Sequence, residues 1–149
     1  QKLLVLIFKV KRMAQKYIVG DVVMYHNKIM VVKEPIDGSH FDLSCPKERL
    51  VYDFVDIEDI KPARLTPEIL EKNGWSREDG VFGVSPDFKK IIDDPARKKG
   101  YITCMSVYPF FDKDGFSFFY NNQKLAIIHY INELQHIFYG LKINSEMEV

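Results

Sequence analysis

Three residues near the C-terminus have side chains and a spacing that could bind a metal ion. His129, Glu133 and His136 stand at positions i, i+4 and i+7, so a helix through them would carry all three on one face. Imidazole nitrogens and carboxylate oxygens are ordinary zinc ligands. The spacing differs from the HExxH pattern of zinc proteases, whose two histidines are four residues apart. The alternative is a polar edge beside an apolar helix face, and we expect no cofactor.

A second group of carboxylates could bind a divalent cation through oxygen ligands. The group comprises Asp53, Asp56, Glu58 and Asp59, without the central glycine and regular acid spacing of an EF-hand loop. Acids at alternate positions of a strand are also typical of its solvent-facing side. We therefore interpret these residues as a wet strand face.

A basic and aromatic segment follows the middle of the chain and could hold single-stranded nucleic acid by charge and stacking. Its candidate residues are Lys89, Lys90, Arg97, Lys98, Lys99 and Tyr101. The whole chain has 21 basic and 21 acidic residues, but residues 1–16 hold five bases and no acid. The remainder is acidic, which disfavours binding that depends on neutralising phosphates. A solvated loop is the alternative interpretation of this segment.

Sequence motifs for catalysis are missing. The chain contains no GxSxG, no GxxxxGK[ST] and no GxGxxG after a strand. Its two cysteines, Cys45 and Cys104, stand far apart without the paired spacing of a zinc site, which indicates reduced thiols in a cytoplasmic protein. The apolar run at residues 3–8 is too short to cross a membrane. We expect a cytoplasmic protein without enzymatic activity or membrane contact.

Aromatic residues are abundant, with eleven Phe, eight Tyr and one Trp. Such side chains anchor many protein–protein interfaces. Trp75, Phe110 and Phe111 are the candidate anchors here. Whether the aromatics of residues 110–120 are core or surface decides this interpretation.

The strands and helices that the sequence predicts around these residues indicate an α+β fold. Residues 17–25 and 28–34 form β-prone runs separated by His26 and Asn27, which fits a tight hairpin. A turn at 35–39 and further short strands at 50–60 predict an SH3-like small β-barrel or meander.

The C-terminal half begins with a short helix. Thr66 as N-cap, Pro67 at the first position and Gly74 after the end predict a helix over residues 67–73. Strands at 101–108 and 116–120 form an antiparallel hairpin. The spacing of Ile127, Ile131, Leu134 and Phe138 predicts a helix over residues 124–139 that packs on it, followed by a frayed tail at 146–149.

These elements suggest three regions. Residues 1–12 are an upstream extension or an edge strand, because a natural start is indicated at Met13. Residues 13–61 form the small barrel-like region. Residues 62–149 form an α+β region packed on it as one compact unit.

Two segments together resemble a known group of proteins. These are IVGDVVMYHNKIMVV with DIEDIKPARLTPEILEKNGW, and the C-terminal YINELQHIFYGLKI. They are similar to small uncharacterised proteins of phages and mobile elements from gut anaerobic bacteria. The resemblance covers most of residues 13–143, and in that group the positions of Asn132 and His136 vary, which argues against a metal site. It implies a phage or mobile-element setting but no activity, cofactor or partner.

We therefore expect a non-enzymatic accessory protein that binds a protein partner such as a host factor. The first alternative is a small single-stranded nucleic-acid-binding module that uses residues 89–101. The second is a metal-dependent enzyme built on the histidines or on the acidic group.

Overall fold

The computed structural model describes residues 17–78, 86–93, 102–109 and 115–149. Over these ranges the fold is α+β, with mostly antiparallel strands and two helices. The chain divides into two compact units, with the boundary between Ala63 and Arg64. The extension predicted at residues 1–12 lies outside the described residues. So do four candidates of the basic segment, Arg97, Lys98, Lys99 and Tyr101, and two of the predicted interface anchors, Phe110 and Phe111.

The first unit is a five-stranded antiparallel sheet. Its strands are β1 (Val22–Tyr25), β2 (Lys28–Asp37), β3 (His40–Cys45), β4 (Leu50–Asp56) and β5 (Lys61–Pro62). They lie in the order β4-β3-β2-β1-β5, because a 3-10 turn at Ile57–Asp59 carries the chain back to pair β5 with β1. No closed barrel is present in the described part of the chain, since β4 and β5 stand at opposite ends of the sheet.

The predicted first hairpin is confirmed. His26 and Asn27 both adopt positive φ, 49° and 59°, and Tyr25 pairs with Lys28 across the two-residue turn. Two central residues with positive φ match the twist of the flanking strands. The turn expected at 35–39 is shorter, because β2 continues to Asp37 and only Gly38 and Ser39 connect it to β3. Strand β3 itself was not predicted.

One face of this sheet buries the core of the first unit. The buried residues are Tyr17, Val23, Met30, Val32, Phe41, Leu43, Cys45, Val55 and Ile60. They recur at every second position along β2 and β3, as the two-residue period of a strand requires. The buried Cys45 lies within this apolar cluster.

The second unit joins two helices to a second antiparallel sheet. Helix α1 (Pro67–Lys72) precedes β6 (Ser76–Glu78), β7 (Asp87–Asp93), β8 (Ile102–Pro109), β9 (Phe116–Tyr120), β10 (Gln123–Ile128) and helix α2 (Ile131–Gly140). The strand order is β10-β9-β8-β7-β6, a simple meander. The predicted hairpin of β8 and β9 is confirmed.

Helix α1 begins where the sequence predicts and ends one residue earlier than predicted, at Lys72, with Asn73 as its C-cap. The Thr66 hydroxyl accepts a hydrogen bond from the Ile69 N–H at 3.3 Å, and Pro67 occupies the first helical position. Gly74 follows the helix with φ of 84°, a conformation that L side chains rarely adopt. The Trp75 N–H then donates to the Leu70 carbonyl at 3.0 Å and closes the helix end.

The prediction of one helix over residues 124–139 was wrong. Residues 123–128 form β10, which pairs with β9 through a turn at Asn121 and Asn122, both at positive φ. The helix begins at Ile131 and uses only the second half of the predicted apolar stripe. Ile127, assigned to the buried helix face, lies instead opposite Ser117 and is 46% exposed.

The core of the second unit forms between the helices and the sheet. Its fully buried side chains include Leu70, Phe88, Phe118, Ile128, Ile131 and Leu134. Trp75, predicted as an interface anchor, is only 3% exposed, and its ring lies nearly parallel to that of Phe138 at 6.3 Å. That prediction is corrected, because a buried indole is unavailable to a partner. Phe116 and Phe118 are also buried, so these two aromatics of β9 are core residues.

Candidate interaction surface

The three predicted metal-binding residues are not on one helix, because His129 precedes helix α2 whereas Glu133 and His136 lie on it. The carboxylate of Glu133 has another role. Oε1 of Glu133 accepts hydrogen bonds from the backbone N–H groups of His129 and Tyr130, both at 3.0 Å. This contact satisfies donors at the N-terminus of the helix, which have no partner within it. No group of three or more His, Cys, Asp or Glu side chains in the described ranges is arranged to hold a metal ion.

The acidic group on β4 is likewise engaged with the backbone. Oδ1 of Asp56 accepts from the Glu58 N–H at 2.9 Å and caps the 3-10 turn. Capping by a carboxylate is a common role for Asp at this position. The other acids of the group lie on the exposed end of β4 and in the turn.

The two described members of the basic segment contact other residues of the second unit. Nζ of Lys89 lies 2.9 Å from Oε2 of Glu78 on the neighbouring strand β6. Nζ of Lys90 donates to the Asn73 carbonyl at 2.7 Å, at the C-terminal end of α1. Burial lowers the pKa of Lys90 from its usual value. Lys90 is therefore a helix-capping residue that points into the unit.

An exposed apolar surface that the sequence did not predict lies on β4. Leu50, Val51 and Phe54 are exposed on this strand, and we refer to them as the β4 surface. Phe54 is the most exposed of the three, at 58%. Within the described residues β4 pairs only with β3, so its other edge offers unpaired backbone groups. Exposed strand edges are templates for pairing with another chain.

Phe54 is exposed because of a bulge in β4. Two residues, Asp53 and Phe54, stand opposite Asp42 where the register shifts, and Phe54 adopts φ of 56°. Oδ1 of Asp42 accepts a hydrogen bond from the Phe54 N–H at 2.8 Å and holds this conformation. A positive φ is a rare and strained state for a bulky side chain. The strain is tolerated at a residue whose ring contributes little to the core.

The ring of Phe54 is also fixed in orientation. It stacks on the imidazole of His40, with ring centroids 3.9 Å apart and planes 4° apart. Nδ1 of His40 in turn lies 3.0 Å from Oδ1 of Asp37. The backbone N–H of Ser39 and the His40 ring both donate to Asp37 and lower the pKa of this carboxyl to about 2. His40 and Asp37 thus hold one face of the Phe54 ring, and the other face is exposed.

The charge around the β4 surface is strongly negative. Residues 34–46 and 50–60 contain seven acids and no lysine or arginine. The bases nearest in sequence, Lys47 and Arg49, lie in the loop before Leu50. Such a surface repels nucleic-acid phosphates and attracts basic segments.

A second group of aromatic side chains lies near the tip of the first hairpin. Tyr25 stacks on His26 at 4.0 Å between ring centroids, and Tyr52 meets Tyr25 edge to face at 5.2 Å. Tyr25 and Tyr52 also pack against the core of the first unit. This group is therefore a partly buried extension of the core rather than a second candidate binding surface.

Comparison with protein-family models, curated proteins and solved structures finds no match for this chain. Neither of the helices in the described ranges has the length and apolar character needed to cross a membrane. Asp53 and Phe54 face outward at consecutive positions of β4 and break the alternation of the strand, but the sequence carries no signal for this surface. It gave no signal for the positive φ.

Proposed function

We propose that this chain is a non-enzymatic protein-binding module, and that an extended basic segment of a protein partner docks on the β4 surface. The observation that carries the proposal is Phe54, exposed and held at positive φ within an acidic edge strand. Backbone strain at an exposed aromatic residue is typical of a recognition site. An edge strand binds extended segments through main-chain hydrogen bonds, and its side chains select the partner.

Charge complementarity favours a basic partner over nucleic acid at this surface. Arginine side chains stack on aromatic rings and pair with carboxylates, so Phe54 with Asp42 and Asp53 suits an arginine. The nucleic-acid alternative rests on residues 97–101, which lie outside the described ranges, and on Lys89 and Lys90, which are engaged elsewhere. We keep it as an outcome of the test.

We further propose that the first unit is an SH3-like small barrel. What supports this is the meander of four strands, the 3-10 turn after β4 and the pairing of β5 with β1. The sequence resemblance supports an accessory role for a phage or mobile element, in the cytoplasm of its host cell. Fold alone does not identify the partner.

The direct test measures binding of two labelled peptides to the full chain by fluorescence anisotropy. One peptide alternates valine and arginine, and the other alternates valine and glutamate. We expect the arginine peptide to bind and the glutamate peptide not to bind, with affinity falling as salt is added. Equal binding of both peptides would contradict the proposal.

The second test uses the full chain as bait in nuclease-treated host-cell lysate. We expect Phe54→Asn to lose the proteins that the wild-type chain retains. The matched control is Leu125→Thr, because Leu125 is a comparably exposed apolar residue of the edge strand β10. Recovery that disappears with nuclease, and is unchanged by Phe54→Asn, would favour the nucleic-acid alternative instead.

A further inference from the structure

Residues 144–149 form a strap that lies against the helices of the second unit. They have no helical or strand pairing, but their exposure alternates, with residues 145, 147 and 149 half-buried and residues 144, 146 and 148 exposed. Such alternation is typical of an extended segment with one face on the protein. The prediction of a frayed tail at 146–149 was therefore wrong.

Three side chains bind the strap, and the four hydrogen bonds described here between them and the strap are all made to its main chain. The Asn73 amide pairs with Glu148 in both directions: Nδ2 donates to the Glu148 carbonyl and Oδ1 accepts from its N–H, each at 2.8 Å. Nζ of Lys72 donates to the Val149 oxygen at 2.9 Å. Nε2 of Gln135 donates to the Ser145 carbonyl at 3.0 Å.

Asn73 is held in place by its own helix as well as by the strap. Asn73 terminates α1, and its Nδ2 also donates to the Ile69 carbonyl at 2.8 Å, which fixes the plane of the amide. Gln135 lies on α2 and is only 2% exposed. Preorganised groups lose little conformational entropy on binding.

We propose that Lys72, Asn73 and Gln135 form a peptide-binding site, occupied here by the chain's own strap and open to an extended segment of a partner protein. Because the contacts are to the main chain, the site recognises the extended conformation of a bound segment more strongly than its amino-acid sequence. The strap indicates the side chains that fit: small or apolar residues at alternate positions, separated by residues that face solvent. This inference does not depend on the β4 surface.

The strap competes with any partner because it is tethered beside the site. The connection is short, since the Ile143 N–H donates to the Phe138 carbonyl at 2.8 Å directly before the strap, and a short connection gives an effective concentration on the order of millimolar or above. A partner peptide at micromolar concentration therefore binds weakly until the strap is released. Release of the strap is the step that regulates access.

The test releases the strap by removing one N–H group. Glu148→Pro deletes the donor to Oδ1 of Asn73, whereas the matched control Glu148→Ala removes the same carboxylate but keeps the N–H. A labelled peptide with the sequence of residues 143–149 is titrated against both full-length variants and the wild-type chain. We expect it to bind the Glu148→Pro chain at least about tenfold more tightly than the other two.

Two further measurements assign the binding to this site. Asn73→Asp in the Glu148→Pro chain removes the amide donor and should abolish peptide binding. The NMR signals of the Asn73 side-chain amide should shift in Glu148→Pro and return when the peptide is added.

The proposal is overturned if the peptide binds no chain at about 1 mM, or binds the proline and alanine variants equally. It is also overturned if the Asn73 amide signals do not move in Glu148→Pro, since the strap would then not depend on this contact. If the wild-type chain forms a dimer and the Glu148→Pro variant does not, the site binds a second copy of this chain. That result would overturn the proposal that it binds a segment of a partner protein. None of these outcomes bears on peptide binding at β4.

Discussion

The phenyl ring of Phe54 lies flat on the imidazole of His40, although the backbone of Phe54 is in a conformation that phenylalanine rarely adopts. The left-handed state costs an L residue about 1–2 kcal/mol. A stacked aromatic pair returns about 0.5–1.5 kcal/mol. The two contributions are of similar size, so the arrangement is close to neutral for stability. Stability alone therefore does not explain a phenylalanine at position 54, which fits a role of this side chain in binding.

Replacing Phe54 therefore separates stability from binding. Phe54→Asn removes the ring but suits the positive φ, because asparagine tolerates that conformation. We expect the free energy of unfolding to change by less than about 1 kcal/mol. Urea denaturation measures this change, and binding of the arginine peptide should fall at least about tenfold in the same sample. Destabilisation well beyond this range, with binding retained, would make Phe54 a structural residue.

The environment of Asp37 predicts a specific acid titration. Its pKa of about 2 lies below the ordinary 3.8, first because of the Ser39 N–H and then because of the His40 ring. A lowered pKa means that the stabilisation is present above pH 3.8 and is lost as the pH falls toward 2. NMR titration of the Asp37 carboxyl should show this midpoint.

Two variants rank the contributions to that pKa. His40→Gln should raise the Asp37 pKa more than Ser39→Ala, because the ring contributes more than the Ser39 hydroxyl. Neither should restore 3.8, since the backbone N–H of Ser39 remains as the largest contribution. A full return to 3.8 in His40→Gln would contradict this ranking.

The parts of the fold that were predictable carry strong local signals. His26 and Asn27 between two β-prone runs specify a hairpin by residue type alone, and Thr66, Pro67 and Gly74 specify both ends of α1. Each signal acts through backbone geometry within a few residues, so no tertiary contact is needed to interpret it.

The misassigned helix shows where local reasoning fails. Apolar residues at 125, 127, 128 and 131 satisfy a helical period and also a strand that contains a bulge. The pairing of β10 with β9 decides between them, through a turn at Asn121 and Asn122, two residues that tolerate positive φ as His26 and Asn27 do. The β4 surface and the strap depend on tertiary contacts in the same way, so neither was predicted.

The stacked pair of Trp75 and Phe138 predicts a large loss of stability on truncation. Phe138 contacts Trp75 and also Phe118, whose ring centroid is 6.4 Å away, and it is 2% exposed. Phe138→Ala should lower the free energy of unfolding by about 3–5 kcal/mol. The control is Tyr139→Ala on the same helix, because Tyr139 is 68% exposed and should change it by less than about 0.5 kcal/mol. Similar losses in both variants would show that helix propensity, rather than core packing, dominates at α2.

Replacing Glu133 tests whether its carboxylate has a structural role or binds a metal ion. It accepts two backbone N–H groups at the start of α2, so Glu133→Ala should lower the free energy of unfolding by about 1 kcal/mol. The loss should be the same with zinc as with a chelator, because the contact involves no ion. His136→Ala serves as the control for a metal site, since a ligand histidine would share any effect of zinc. A wild-type chain that zinc stabilises, through both Glu133 and His136, would instead identify a metal centre on this helix.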